Sequence, residues 1–391
     1  MAAIYPFRAL RPRPDVAARV AAVPYDVVTI DEARALASNN PLSFLHVSRA
    51  EIDLPDGIDP YGGAVYERAS ANFSRLKGDA LVIEDEPSLY AYRLRMGAHT
   101  QTGLAACFSI DEYERDVIKK HERTRRDKED DRTRHMIALG AQTGPVFLTY
   151  RASAEIDAIV IRATMSAPLF DFVAMDDVQH TVWRIGGADR DALVAAFGRI
   201  PSLYIADGHH RAASAARSRA ASGASGFLAV AFPHNQVQIL PYNRVVKDLG
   251  GKTVEAFLHD VKRRFDVAPG PAMPARRGEM AMFLDDKWMT LRPRADEPTS
   301  RRADETTRRR ADGAGRHAAS GRIARTDSRH HRRPNRHAHR FRWRRTWNRR
   351  LGTAGPERQG SSRVFAVSRE RVRSDGGVRC RRHHAAEEYV V

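Results

Sequence analysis

Hydrophobic and polar positions alternate in short blocks through the first 291 residues, and the period changes from block to block. Residues 22–28 (AVPYDVV) read as an extended segment broken by Pro24. Thr29 followed by Glu32 has the spacing of a capping box. It predicts a helix that starts there and is closed by Asn39-Asn40-Pro41. Residues 42–47 (LSFLHV) predict a strand. Val65, Ala69, Phe73 and Leu76 recur at helical spacing over residues 61–77, and Gly78 ends that run. Residues 88–96 alternate as a strand does, and 102–110 and 144–150 predict two more. Between them a polar stretch, 116–135, leads into a helix. Farther on, helices over 191–197 and 212–221 are interleaved with strands over 203–206, 227–232 and 236–241. Val254, Phe257, Leu258, Val261 and Phe265 line one face of an amphipathic helix.

This mixture is α+β rather than a regular βαβ series, and no internal repeat is present. The expected organisation is an N-terminal α+β domain over 1–150, a second domain over 151–291, and a tail over 292–391.

The tail changes the picture. Residues 292–391 hold 28 Arg, no Lys and 11 acidic residues, which leaves 37 basic and 37 acidic residues for the rest. The chain's whole net charge of +17 therefore sits in its last hundred residues. The tail reads RRADETTRRR, HHRRPNRHAHRFRWRR and RCRRHH, with little apolar periodicity. Nucleic-acid binding, which a strongly basic chain would suggest, rests on this tail alone. Two cysteines, Cys107 and Cys380, exclude a disulfide framework and a cysteine zinc site. No apolar run is long enough for a membrane span, and the start lacks the apolar core of a signal peptide, so a cytoplasmic address is expected.

Three segments carry candidate chemistry. In residues 203–213 (LYIADGHHRAA) a short apolar strand runs through Asp207-Gly208 into an Ala-rich helix. Gly208 permits a sharp turn, and the free N–H groups of the helix start suit an anion. Arg211 offers a planar fork for phosphate, His209 and His210 titrate near neutrality, and Asp207 is a base or metal ligand. The bland alternative is that Asp207 caps the helix and the histidines are half-buried surface groups. In the second segment, 119–132 (KKHERTRRDKEDDR), His121-Glu122 and Glu129-Asp130 supply a His and carboxylates that could bind a metal-nucleotide, with Thr124 among them, or orient a hydroxyl. Most charge runs are solvated faces, but this one lies between two predicted strands instead of along a regular exposed helix. In the third, Tyr25, Asp26, Asn40, Ser43 and His46 are polar residues set among apolar ones that could line a substrate pocket. Turn chemistry and cross-strand bonds explain most such residues equally. Gly250-Gly251-Lys252-Thr253 lacks the first glycine of a phosphate loop, Val246 standing there, and reads as a turn with Thr253 capping the next helix.

Taken together, VPYDVV, NPLSFLHV, KKHERTRRDKEDDR, YIADGHHRAA and LPYNRVVKDL resemble the DUF1015 proteins, in the same order and over residues 5 to about 290. The DGHHR segment is similar to the phosphate-handling loop of the ParB/sulfiredoxin-like fold, and related shorter proteins are free-serine kinases. The resemblance implies a nucleotide-phosphate site at Gly208 and Arg211, with Asp207, His209 and His210 assisting phosphoryl transfer. It also implies ATP or ADP with Mg2+, held in part by Asp207, and L-serine or another small hydroxyl substrate. Asp176, Asp177 and Glu122 are candidates for the serine kinases' catalytic glutamate. The rival expectation is a nucleotide-binding regulator without turnover.

Long family members end in segments like IDFVGGVRGTG and GGIMPPKSTWF, neither of which is present in this frame. Residues 383–391 (HHAAEEYVV) can be encoded by CAT CAT GCC GCC GAA GAG TAC GTG GTT. Read one nucleotide later, those bases give IMPPKSTWF, and residues 339–349 similarly yield IDFVGGVRGT. The expectation is a frame change near 291–312, leaving a tail that is disordered or non-native.

Overall fold

The computed structural model of the chain describes residues 2–240, 244–246, 248–276, 278–294 and 364–365. The expected state of the tail lies outside the described residues. Two compact units are present, one within Met1–Tyr242 and one beginning at Asn243.

The first unit opens with β1 (Ile4–Tyr5), β2 (Leu10–Pro12), α1 (Ala17–Val20), α2 (Ile30–Ala37), α3 (Leu45–Ser48) and α4 (Gly63–Asp79). The capping box forms as expected: Thr29 Oγ1 accepts the Glu32 N–H, and the Glu32 carboxylate accepts the Thr29 N–H. On α4, Val65, Ala69, Phe73 and Leu76 pack with Val16, Val20, Val47 and Ala50. Next come β3 (Leu81–Ile83), β4 (Leu89–Met96), β5 (His99–Ser109), α5 (Ile110–Glu114), β6 (Ile118–Lys119), α6 (Arg126–Leu139) and β7 (Val146–Tyr150). The unit closes with α7 (Ala154–Ala163), β8 (Phe170–Val173), β9 (Val178–Ile185), α8 (Gly187–Phe197), β10 (Leu203–Asp207), α9 (His209–Ser222) and β11 (Gly226–Pro233).

One mixed sheet organises this unit, in the order β6-β10-β7-β11-β5-β4-β9-β8, with β1 also pairing β5. Alternate strand residues such as Leu104, Phe108, Leu148, Ile205 and Ala229 form one core with Ile156 and Ile159 of α7, Leu193 and Phe197 of α8, and Ala212 and Ala215 of α9. The other parity, Phe147, Ala206, Val230 and Phe232, makes a separate cluster on the opposite face.

That sheet corrects the expected domain boundary at 150. β10 lies between β6 and β7, and β11 between β7 and β5, so strands from both sides of residue 150 share one ladder. The division falls at 242–243 instead. The fold class, α+β, is as expected.

The second unit has β12 (Arg244–Val245), α10 (Val254–Arg264), and a three-stranded antiparallel sheet of β13 (Phe265–Pro269), β14 (Met280–Leu284) and β15 (Lys287–Pro293), with β15 central. β12 pairs with β16 (Val364–Phe365). Thr253 caps α10 through the Ala256 N–H, as expected, and the predicted apolar face of α10 packs around Met282, Leu284 and Leu291.

Three local expectations fail. Residues 42–47 do not form a strand: Leu45 and Val47 are buried from the short helix α3, whose His46 carbonyl is bonded by Asn72 at 2.7 Å. A short apolar run does not distinguish strand from buried helix by itself. Residues 22–28 turn rather than extend, with Arg49 bonding the Tyr25 and Val28 carbonyls. No strand forms over 236–240, where the Gln236 side chain instead accepts the Thr102 N–H of β5.

Candidate functional site

β10 carries Leu203, Ile205 and Ala206 into the core and delivers Asp207 to its end. Pairing with β7 slips between Ile205 and Asp207, a bulge that re-aims the strand end. Gly208 then turns the chain at φ +90°. A Cβ there would stand 2.9 Å from Arg211 Nε and 3.0 Å from its Cζ, because Arg211 folds back over the turn. Glycine is required twice, for the dihedral and for the space.

Arg211 donates to the Asp207 carboxylate and to the Pro145 carbonyl. Its side chain is 11% exposed and that of Asp207 28%. Burial pushes the Asp207 carboxyl up, and Arg211 opposes this. Asp207 therefore pairs with Arg211 rather than capping α9. Gly208 occupies the cap position, and no side chain accepts from the first turn of α9.

The charge run meets this turn. Its second half forms the start of α6, which corrects the expectation that it avoids a regular helix. Arg217 of α9 binds Glu129 at 3.1 Å and Asp130 at 2.5 Å, so α6 and α9 run together. The loop before α6 crosses the start of α9: the His121 N–H donates to His209 Nε2 at 3.4 Å, and the Arg125 N–H to His210 Nε2 at 3.0 Å. An Nε2 that accepts places the ring proton of a neutral imidazole on Nδ1. The Nδ1 of His209 faces Glu122 Oε2 at 3.6 Å, and the His121 ring stands edge-on to His209 at 4.4 Å. Thr124 is half-buried in the same loop.

Tyr25 and Asp26 also arrive here. The Arg132 guanidinium lies 4.0 Å over the Tyr25 ring, and Asp26 acts electrostatically on both Asp207 and Arg211. Burial, then Asp26, pushes the Tyr25 hydroxyl up. Behind them Asp131 binds Arg132 at 2.8 Å and accepts the Tyr66 hydroxyl at 3.0 Å. Asp131 and Arg132 were hidden within the charge run. The available signal was spacing, since Asp131, His135 and Leu139 recur every fourth residue and are the buried positions of α6.

The remaining pocket candidates separate from this cluster. Asn40 donates to the Arg19 carbonyl, Ser43 Oγ accepts the Leu45 N–H, and His46 binds Asp53 at 2.8 Å, all within the N-terminal helical segment. Asp176 and Asp177 occupy the β8–β9 turn, five places along the sheet from β10. Among the described residues no three His, Cys, Asp or Glu side chains converge as a metal site. Cys107 is half-buried, and burial raises its thiol to about 11, so it is not a nucleophile near neutrality.

His209 gives the site a pH signature. It is 4% exposed, and burial, with His121, His210 and Arg211, lowers it to about 3. The folded state thus binds fewer protons than the unfolded state between that value and the ordinary histidine value. Stability contributed by neutral His209 is full above pH 6.5 and is lost as pH falls, by about 1.4 kcal/mol per pH unit. His135, 4% exposed and lowered by burial to about 4, acts in the same direction. Urea unfolding from pH 7 to 5 is expected to show this slope, and His209→Gln to reduce it.

A family model described as "Protein of unknown function (DUF1015)" matches residues 4–324, ending inside the Arg-rich segment. No curated protein and no solved structure matches the chain. Among the described residues no helix is long and apolar enough to cross a membrane.

Proposed function

The chain belongs to the DUF1015 family, and from its site we propose a nucleotide-dependent kinase that phosphorylates a hydroxyl of a small, serine-like substrate. The observation that carries this reading is the uncapped start of α9, crossed by a loop that brings the backbone of His121 and Arg125 and the Glu122 carboxylate to it. Free N–H groups at the start of a 14-residue helix favour phosphate oxygens. Arg123 and Arg126, exposed in the same charge run, have no carboxylate within ion-pair range among the described residues and are the cations this reading assigns to the phosphates.

In this reading the nucleotide phosphates, from ATP or ADP, lie on the first turn of α9. The substrate oxygen attacks the terminal phosphorus, the bond from that phosphorus to the bridging oxygen breaks, and the hydroxyl proton passes to Glu122, which is 40% exposed. Asp207 holds Arg211, and Arg211 shapes the turn. The two histidines fix the loop through their Nε2 atoms. Mg2+ would arrive on the nucleotide and needs only one or two protein carboxylates. Asp207, committed to Arg211, does not suit it.

Calorimetry with ATP and ADP tests the binding half. Saturable binding is expected, weakened several-fold by an Arg123→Ala, Arg126→Ala double variant. Absence of nucleotide binding by the folded protein contradicts the reading. One observation favours a nucleotide-binding regulator instead: both His209 and His210 use Nε2 to hold backbone, so neither offers that nitrogen to a reacting atom.

We also infer that the reading frame changes near codons 291–312, through one inserted or two deleted nucleotides. The Lys-free tail, the two family-like endings recovered by a single shift, and a family match that stops at 324 support this. Sequencing the gene across that window decides it: a clean frame with no alternative reading nearby contradicts the inference.

A further inference from the structure

A second pocket, away from the DGHHR turn, opens between α7 and the β4–β5 ladder. Its cavity volume is about 70 Å3, and its polar lining is Arg93, Thr102, Tyr150, Asp157, Thr164 and Gln236. Tyr150 ends β7, beyond Thr149, which faces Tyr204; Asp207 pairs three residues earlier, at Phe147. Arg93 and Thr102 belong to β4 and β5, on the far side of β11. The two sites therefore share no residue.

Its two charges are the telling feature. Arg93 is fixed in place: its guanidinium lies 4.7 Å over the Trp183 ring, Nε donates to Thr102 Oγ1 at 3.1 Å, and Nη2 reaches Thr164 Oγ1 at 3.4 Å. It nevertheless has no carboxylate partner among the described residues. Asp157, in the first turn of α7, lines the same pocket half-buried and likewise has no cationic partner there. Opposite charges that share a partly desolvated pocket ordinarily pair with each other or with neighbours. Here the fold holds them apart, each with hydrogen-bonding capacity left over.

We propose that this pocket binds a free α-amino acid, its carboxylate on Arg93 and its ammonium on Asp157. Arginine matches a carboxylate through parallel N–H donors, and a carboxylate accepts from an ammonium. Burial pushes the Asp157 carboxyl up, and a cation bound beside it acts in the opposite direction. Because the pocket is separate from the DGHHR turn, its occupancy does not depend on that turn being catalytic.

The test is calorimetric titration of the full chain with glycine, L-alanine and L-valine, alongside propionate and ethylamine. At least one amino acid is expected to bind, with affinity falling about tenfold or more in Asp157→Asn and in Arg93→Met. Arg93→Lys keeps the charge on a folded background and retains part of the affinity. Three results overturn the proposal: no amino acid binds, propionate or ethylamine binds as well as the amino acids, or binding survives both Asp157→Asn and Arg93→Met unchanged.

Discussion

Asp207→Ala lowers the unfolding free energy by about 3 kcal/mol, because it strands the Arg211 guanidinium in a site where that side chain is 11% exposed. The lower end of the range for breaking a buried pair applies, since 28% of Asp207 remains exposed. Arg211 also rests on the Gly208 turn and bonds the Pro145 carbonyl, so its displacement loosens the start of α9. The double variant Asp207→Asn, Arg211→Met is expected to recover most of the loss, because neither partner is then left charged and alone. Urea unfolding measures both. A cost below about 1 kcal/mol for Asp207→Ala means the pair contributes as little as a surface ion pair does.

The second large effect belongs to the Arg-rich segment. With 28 Arg and 11 acidic residues in 100, the chain as written is expected to bind duplex DNA without sequence preference. If six to ten phosphates are contacted, affinity falls about 10^3–10^5-fold between roughly 50 and 200 mM salt. Truncation after Arg294, which leaves β15 whole, abolishes this binding, and so does restoring the inferred frame. Filter binding across a salt series measures it. Equal DNA affinity in the truncated chain would place the nucleic-acid surface in the body, whose 37 basic and 37 acidic residues balance.

Much of the local structure was legible because it rests on local rules. The Thr29 and Thr253 caps, the α4 stripe and the α10 face need only neighbours three or four residues apart. The DGHHR turn was legible too, since Asp-Gly after an apolar strand and before an alanine-rich run has few other conformations. What stayed hidden depends on long-range pairing. Nothing near residue 150 says that β10 will insert between β6 and β7, and this is why the domain boundary was misplaced. The same pairing sorts the candidate residues. Tyr25 and Asp26 join Asp207 because α6 carries Arg132 under Tyr25, whereas Asn40, Ser43 and His46 close bonds in their own segment. The side-chain roles were also invisible. Asp207 and Arg211 stand four residues apart, a spacing that suits an ion pair as well as a phosphate site, and only the fold shows them bonded.

The most direct measurement of the proposed chemistry is transfer of labelled phosphate from ATP or ADP to L-serine and a panel of small hydroxyl compounds, on the chain as written and on the frame-restored chain. Glu122→Gln serves as the control, since Glu122 is exposed and its replacement leaves the Asp207–Arg211 pair intact. Transfer to a hydroxyl substrate that drops at least about a hundredfold in Glu122→Gln is the expected result. Bound nucleotide with no transfer to any hydroxyl in either chain would contradict the kinase and leave the regulator.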